Sequence, residues 1–352
     1  MRRVAILHTG GTIGMPPRDA QADAERGGTR PPLAPDRFAH ELVAEVPELR
    51  RLAHIETRIL CNVDSSDIGP DEWSALAEEV AVAREWADGM VIVHGTDTMA
   101  YTAAALSFAL EGLDRPVVMT GSQRPLGEVR TDARRNLVDA VDLATRDLPE
   151  VGICFDGRFL RGNRATKGDA WSYSAFGSPN CPPLARLGLD VEIASHVRRP
   201  AGPFRCEPAF DPRVAVLYVT PGMDPAVLSR LVDAGQGEAE LRGLVIAAFG
   251  TGNVPLRVRS LVPALRQAVE AGVTALVVTQ ARAGAVDLGR YLNGSVLAEA
   301  GALSGGDMGL EAAVCKLMHA LARYPDDAEA RAAYLLRDVA GERGDGAIHL
   351  DD

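Results

Sequence analysis

Residues 4–14 read VAILHTGGTIG, an apolar run that passes directly into two glycines flanked by threonines. A short apolar run before a glycine-rich turn is typical of a buried β-strand that ends at the edge of a sheet. We therefore predict a first strand at residues 4–9. Because glycine adopts positive φ and lets the backbone approach a ligand closely, the turn is suited to place hydroxyl groups at the end of that strand.

Short apolar runs and longer helical stretches alternate through the first half of the chain. The predicted strands are residues 90–94, 117–120 and 152–156, and the predicted helices are residues 74–86, 99–110 and 132–144. This alternation predicts a parallel sheet covered by helices on both faces. A Gly, Thr, Ser or Asp cluster follows each strand, at the edge where open α/β sheets bind ligands.

The alternation stops over residues 191–212, which are rich in proline and arginine, and then resumes. We predict strands at residues 214–219, 244–248 and 275–279, and helices at residues 225–234, 259–271 and 308–321. The expected fold is α/β, with a larger N-terminal parallel-sheet domain at residues 1–190 and a smaller C-terminal α/β domain at residues 213–340. Residues 191–212 are predicted to be a linker and residues 341–352 a flexible tail.

Composition argues against several classes of protein. A net charge of −11 disfavours nucleic acid as a partner, because phosphate binding requires a basic face. The five cysteines are scattered, odd in number and never spaced as CxxC, which predicts neither a metal site nor a disulfide framework. No segment is as long as a membrane span, and the apolar run at the N-terminus is too short for a signal peptide. We expect a cytoplasmic protein with no membrane partner and no cofactor.

Residues 94–98, HGTDT, also follow a predicted strand. Thr96 and Asp97 place a hydroxyl beside a carboxylate, which are the components of a proton relay. A helix N-cap is an equally natural interpretation, because Thr and Asp are favoured there. The threonines of the first turn have a similar alternative, as caps of a tight turn between strand and helix. We predict that His94 is a structural residue of the core.

Two further features suggest an amino-acid site. The turn DSSD at residues 64–67 offers hydroxyls and carboxylates suited to a zwitterion, although such turns are common. Lys167 is one of only two lysines among 37 basic residues, so 37 − 2 = 35 are arginines. A buried lysine is able to lose its proton near neutral pH, whereas arginine is not, so we predict proton transfer at Lys167.

Together these segments resemble the bacterial asparaginases, and most resemble the cytoplasmic type I branch. The two main signatures are TGGTIG at residues 9–14 and HGTDTM at residues 94–99. The other matching stretches are DSSD at 64–67, TGSQRPL at 120–126, NRATK at 163–167, SPN at 178–180, GTGNVP at 250–255, TQ at 279–280, GGDM at 305–308 and EAA at 311–313. The resemblance covers the chain from about residue 3 to residue 321.

The resemblance implies hydrolysis of L-asparagine to L-aspartate and ammonia, without a metal, at sites where subunits of a homodimer or homotetramer meet. By position, Thr12 would be the nucleophile that forms an acyl-enzyme. Thr96, Asp97 and Lys167 would activate water. The predicted substrate-binding residues are Asp64, Ser65, Ser66, Ser122 and, from a neighbouring subunit, Asn253.

One feature departs from the family. In the family, a mobile loop after the first motif supplies a tyrosine that hydrogen-bonds the nucleophile. In this sequence residues 15–33 contain no tyrosine, and Thr29 lies near the expected position. Two alternatives stay open. The chain would serve as the ammonia-supplying subunit of a tRNA-dependent amidotransferase, although such subunits usually carry an extra N-terminal domain. Otherwise it would be a sensor that binds an amino acid without turnover.

Overall fold

Strand β1 (Arg3–Gly10) belongs to an eight-stranded sheet in the first of two compact units. The computed structural model describes residues 1–14, 45–233, 240–289 and 292–344. The first unit contains Met1–Ser178 and Pro182–Pro208, and the second contains Pro179–Cys181 and Ala209–Asp352. The predicted domain boundaries stay a prediction.

The first unit contains four helices and twelve strands among its described residues. The helices are α1 (Leu49–Leu52), α2 (Pro70–Arg84), α3 (Met99–Ala109) and α4 (Ala133–Ala144). The longer strands are β2 (His54–Val63), β3 (Gly89–Val93), β5 (Val117–Thr120), β6 (Val151–Phe155) and β7 (Arg158–Arg161). The short strands are β4 (Leu110–Glu111), β8 (Thr166–Lys167), β9 (Phe176–Gly177), β10 (Ala185–Leu187), β11 (Val191–Ile193) and β12 (Arg205–Cys206).

The order of strands in the large sheet predicts where a ligand would bind. The order is β11-β10-β7-β6-β5-β3-β1-β2, and β2, β1, β3, β5 and β6 are parallel. After β1 the chain first adds β2 on one side and then crosses to add β3 on the other. In such open sheets, ligands bind at the carboxyl ends of the strands where the order reverses, here β1 and β3.

Both faces of this sheet are buried, which explains why its central strands are apolar throughout. All five residues of β3 are buried, and on β1 the alternate residues Val4 and Ile6 belong to the same core cluster as Leu137 and Val141 of α4. A parallel strand covered on both faces needs a continuous apolar sequence rather than an alternating one. The predicted α/β class and the parallel-dominated sheet are confirmed.

The second unit has a smaller parallel sheet of its own. Its order is β13 (Val214–Tyr218), β14 (Gly243–Ala248), β15 (Thr274–Thr279) and β16 (Leu303–Ser304). The helices are α5 (Ala226–Asp233), α6 (Val262–Glu270), α7 (Leu292–Glu299), α8 (Leu310–Arg323) and α9 (Ala328–Leu336). Leu217, Ile246, Leu265 and Val277 lie in its core. In the part of the chain that is described, no helix has the length and apolarity that crossing a bilayer requires.

Three segments differ from the sequence predictions. β2 was not predicted, because its sequence, HIETRILCNV, mixes charged and apolar residues as an edge strand does. The segment predicted as a linker contains strands β11 and β12. In the segment predicted as a flexible tail, the Glu342 side chain is fully buried and forms an ion pair with Lys316. The lysine neutralises the carboxylate, which allows it to be buried. Residues 345–352 lie outside the described residues.

Candidate active site

Two consecutive glycines allow the end of β1 to lie directly against neighbouring strand ends. Gly10 has φ +123° and packs against the backbone of Val63, at the end of β2. Gly11 has φ +90°, and a Cβ on it would lie 2.6 Å from the backbone nitrogen of Gly95. Only glycine fits at these two positions, because both the positive φ and the close contact exclude a side chain. The turn before Thr12 therefore touches the turn before Thr96.

Two more glycines bring further strand ends to the same place. A Cβ on Gly95 would lie 2.7 Å from both Cβ and Oγ of Ser65, which follows β2. A Cβ on Gly121, which follows β5, would lie 2.8 Å from Cε of Met99 and 3.5 Å from Cγ2 of Thr96. Polar turns from four neighbouring parallel strands thus meet at the predicted crevice.

Lys167 connects the two reactive groups of the second motif. Its Nζ donates to Oγ1 of Thr96 at 2.9 Å and to Oδ1 of Asp97 at 2.6 Å. The Thr96 residue is 8% exposed, whereas the Asp97 side chain is 70% exposed. A single amine therefore joins a buried hydroxyl to a carboxylate that solvent or a ligand is able to reach. The N-cap of α3 is Thr98, which makes no side-chain cap bond, so neither Thr96 nor Asp97 is the N-cap residue of this helix.

The turn DSSD presents an ionised carboxylate and two serines. Oδ1 of Asp64 accepts from both Oγ and the backbone N–H of Ser66, at 2.7 and 2.8 Å. These two hydrogen bonds hold the pKa of Asp64 below its ordinary value, so the carboxylate is charged at neutral pH. Ser65 is buried, and its carbonyl accepts a hydrogen bond from Oγ1 of Thr98 at 2.5 Å.

The segment after β5 contributes Ser122 and two residues that were not predicted. Oγ of Ser122 donates to the carbonyl of Arg124 at 2.6 Å. Oε1 of Gln123 accepts from Oγ1 of Thr96 at 3.3 Å. The Asp132 carboxylate holds the backbone of this segment by accepting from the N–H groups of Gln123 and Arg124. Burial nevertheless raises the pKa of Asp132, since it outweighs these bonds.

The buried ring of His94 makes hydrogen bonds that hold the backbone of the second motif. Its Nε2 lies 2.9 Å from Oγ1 of Thr102, which in turn accepts from Nε1 of Trp73 at 3.1 Å. Its Nδ1 lies 2.7 Å from the Gly95 carbonyl. Burial lowers the pKa of His94 to about 4, so the ring is neutral, and Nδ1 carries the proton because a carbonyl only accepts. This chain of hydrogen bonds orients the peptide between Gly95 and Thr96.

Two predicted residues, Thr12 and Asn253, remain to be described. Thr12 begins a short 3₁₀ turn, Thr12–Gly14, directly after Gly11. Asn253 belongs to the second unit, where it pairs with Phe249 through backbone hydrogen bonds. The tyrosine-free loop at residues 15–33, including Thr29, lies outside the described residues. Among the described residues, no three His, Cys, Asp or Glu side chains are grouped to hold a metal ion.

Two family models and several known proteins match this chain. The family model described as Asparaginase, N-terminal, matches residues 3–199, and that described as Glutaminase/Asparaginase C-terminal domain matches residues 213–334. L-asparaginase 1 of Escherichia coli (strain K12) is 35% identical over 344 residues, covering 97% of this chain and 98% of that protein.

One solved structure and one relative with another name are also similar. The thermostable L-asparaginase from Thermococcus kodakarensis superposes with a TM-score of 0.86 at 33% identity, covering 97% of this chain and 99% of that one. A glutamyl-tRNA(Gln) amidotransferase subunit of Pyrococcus furiosus is 35% identical over 351 residues, which cover 96% of this chain and 76% of that protein.

The fold, the threonine-rich strand ends and these matches define an enzyme of the amidohydrolase class. The chain belongs to the asparaginase family.

Proposed function

We propose that this enzyme hydrolyses the side-chain amide of L-asparagine, giving L-aspartate and ammonia. The observation that carries the proposal is the group formed by Lys167, Thr96 and Asp97, since the turn that carries Thr96 and Asp97 contacts the turn of Thr12. A hydroxyl held by an amine beside a carboxylate is suited to proton transfer, and a second hydroxyl nearby is suited to nucleophilic attack.

In the first half of the proposed reaction, Oγ of Thr12 attacks the carboxamide carbon of the substrate. The Thr12 proton is transferred away and a proton is delivered to the leaving nitrogen, which departs as ammonia and leaves an ester between Thr12 and the aspartyl group. Ser122 lies on the segment that would line the reacting amide. Its hydroxyl already donates to the Arg124 carbonyl, so it is held in a fixed orientation.

In the second half, water attacks the ester carbonyl and releases L-aspartate. Thr96, together with Lys167 and Asp97, would accept the proton of the attacking water, while Thr12 recovers its own hydroxyl proton. Lys167 must lose a proton before it accepts one in this step. Its side chain is 16% exposed and forms an ion pair with Asp97.

The turns that carry Asp64 and Asp97 offer partners for the charged groups of the substrate. Asp64 stays ionised and Asp97 is largely exposed, so both are available to bind the α-ammonium group. Ser65 would donate to the α-carboxylate, with Ser66 next to it on the same turn. If both carboxylates bind the α-ammonium group as proposed, the site favours a free amino acid over a peptide, in which that charge is lost.

Further parts of the proposal concern assembly and location. We assign Asn253 to the active site of a neighbouring subunit, which makes the enzyme a homodimer or homotetramer. Light scattering coupled to size-exclusion chromatography measures the oligomer directly. All five cysteines are free thiols, which suits a reducing cytoplasm.

The test of the substrate is an assay of purified protein with L-asparagine and L-glutamine side by side. We expect equal amounts of ammonia and L-aspartate from asparagine. A difference of one methylene gives discrimination of only about 1–3 kcal/mol, so some glutamine turnover is compatible with the proposal. Absence of ammonia from both amides, in protein shown to be folded, would reject it.

A second candidate follows from the similarity to the amidotransferase of Pyrococcus furiosus. As a component of such an enzyme, the chain would release ammonia only together with its tRNA-dependent partner. Steady turnover of asparagine by the isolated protein excludes this. A sensor would instead bind aspartate or asparagine in a calorimeter and release no ammonia.

A further inference from the structure

The orientation of the Gln123 side-chain amide is determined by its neighbours. Its Nε2 lies 3.0 Å from the carbonyl oxygen of Ser172 and 3.5 Å from that of Ala170. Backbone carbonyls only accept hydrogen bonds, so the NH₂ end of the amide must face them. The oxygen end must therefore face Thr96, whose Oγ1 lies 3.3 Å from Oε1.

This orientation also determines where the Thr96 proton lies. A hydroxyl has one proton to donate, and an amide oxygen only accepts, so the Thr96 proton points to Gln123. Thr96 then presents a lone pair to Lys167, and Nζ must donate the 2.9 Å hydrogen bond between them. The direction of the whole chain of hydrogen bonds, from Lys167 through Thr96 and Gln123 to Ser172, follows from one backbone carbonyl.

We infer that Gln123 is a positioning residue, which keeps the Thr96 hydroxyl turned away from Lys167 and thereby stabilises the protonated form of that lysine between turnovers. The inference rests on the proposed function, because it assigns a role within that proton relay. At 3.3 Å the bond to Gln123 is long, so the hydroxyl is able to turn towards Lys167 when the lysine loses its proton.

The hydrogen bonds of the other charged groups around the relay do not involve the Gln123 side chain. Asp97 pairs with Lys167 at 2.6 Å, and Asp132 binds the backbone N–H of Gln123 rather than its side chain. Asp169 accepts from the N–H groups of Trp171 and Ser172, in the loop that holds the Gln123 amide. Asp64, on the neighbouring turn, is occupied by Ser66. A shift in the pH profile of a Gln123 variant is therefore attributable to position 123.

The experiment compares the dependence of kcat/KM on pH for the unaltered enzyme, Gln123→Met and Gln123→Glu, with asparagine as substrate. Methionine has nearly the same size but is only a weak hydrogen-bond acceptor, so the Thr96 hydroxyl turns to Lys167 and favours its neutral form. We expect the acid limb to move to lower pH by up to about one unit, since a neutral hydrogen bond contributes about 0.5–1.5 kcal/mol. Glutamate adds a negative charge that favours protonated Lys167, so the acid limb should move to higher pH by about one unit or more.

Shifts in opposite directions, with KM changing less than kcat, would support the inference. If both variants shift in the same direction, or neither shifts, the inference is overturned even when activity falls, because lost packing alone would lower activity without moving the midpoint. Thermal unfolding of each variant shows that the comparison is made on folded protein. The unaltered enzyme is measured first, so absence of ammonia release there rejects the proposed function and not merely the role of Gln123.

Discussion

A Cβ atom on Gly11 would lie 2.6 Å from the backbone nitrogen of Gly95, so the turn preceding Thr12 and the turn preceding Thr96 are in direct contact. This contact joins residues that are 84 positions apart in the chain, 95 − 11, at the edge where the strand order reverses. The proposed division of work between two threonines depends on it.

Replacement of Gly11 by alanine should therefore damage both stability and activity. Alanine at φ +90° is strained, and its methyl group would overlap the Gly95 backbone. We expect a loss of about 2–4 kcal/mol in the free energy of unfolding, and a fall in kcat/KM of about 10² or more. Gly202→Ala is the control, because nothing lies within 4 Å of a Cβ there. Equal behaviour of the two variants in urea unfolding and in the ammonia assay would contradict the role of this contact.

Lys167→Arg should fail although it keeps the positive charge. Arginine does not lose its proton in proteins, so it cannot accept one from Thr96, and we expect kcat to fall by about 10²–10⁴. Arg186→Lys, an exposed exchange of the same two residue types on β10, should leave kcat unchanged. A small primary amine added to Lys167→Ala should restore part of the activity. Retention of most activity in Lys167→Arg would show that the lysine acts only as a fixed charge.

The buried neutral histidines predict a loss of stability in mild acid. Burial lowers the pKa of both His8 and His94 from 6.5 to about 4. Between these two pH values the unfolded chain binds more protons than the folded one, so stability falls as the pH falls from about 6.5 towards 4. From pH 7 to pH 5 each histidine should contribute a loss of about 2 kcal/mol.

His94→Gln should remove its own share of that pH dependence, and His54→Gln, at an exposed position on β2, should not. The measurement is the free energy of unfolding in urea at pH 7 and at pH 5. If His94→Gln loses as much stability between these pH values as the unaltered protein does, the conclusion that the His94 ring is neutral in the folded protein is wrong.

The ion pair between Lys316 and Glu342 should be important for the second unit. Both side chains are fully buried; Nζ of Lys316 also donates to the carbonyls of Leu335 and Arg337, and Glu342 accepts from two backbone N–H groups. Lys316→Met would leave the carboxylate buried without its cation, which costs about 3–5 kcal/mol.

The matched control is Arg2→Ala, which breaks the exposed pair with Asp88 and should cost about 1 kcal/mol or less. The double variant Lys316→Met/Glu342→Leu should recover much of the loss, because no unpaired charge remains. A loss for Lys316→Met as small as that for Arg2→Ala would contradict this prediction.

The parallel core of the first unit was predictable from sequence, because strands buried on both faces are apolar along their whole length. β3 and β5 are continuous apolar runs between polar turns, and their predicted bounds differ from the observed ones by one residue at most. β2 was missed because it lies at the edge of the sheet, where charged residues such as Glu56 and Arg58 are compatible with a strand. Antiparallel β10 and β11 were missed because three residues are too few to form a pattern, and β7 because its sequence, RFLR, begins and ends with a charged residue.

The residues of the candidate site also fall into two groups, those that the sequence indicated and those that it did not. Thr96 and Asp97 were recognisable because they are adjacent in sequence at the end of a strand, and Lys167 because lysine is rare in this chain. Gln123 and Asp132 were not recognisable, because what brings them to the candidate site is a set of contacts between separate segments. The Gln123 amide, for example, meets the Ser172 carbonyl 49 residues away.

The central claim, that Thr12 is the nucleophile in asparagine hydrolysis, is tested most directly by the rate of ammonia release from L-asparagine by Thr12→Ala. The variant removes one hydroxyl group and should fold normally. We predict a rate lower by about 10³–10⁶ than that of the unaltered enzyme, as when a nucleophile is lost. Ammonia release at a rate close to that of the unaltered enzyme would contradict the account.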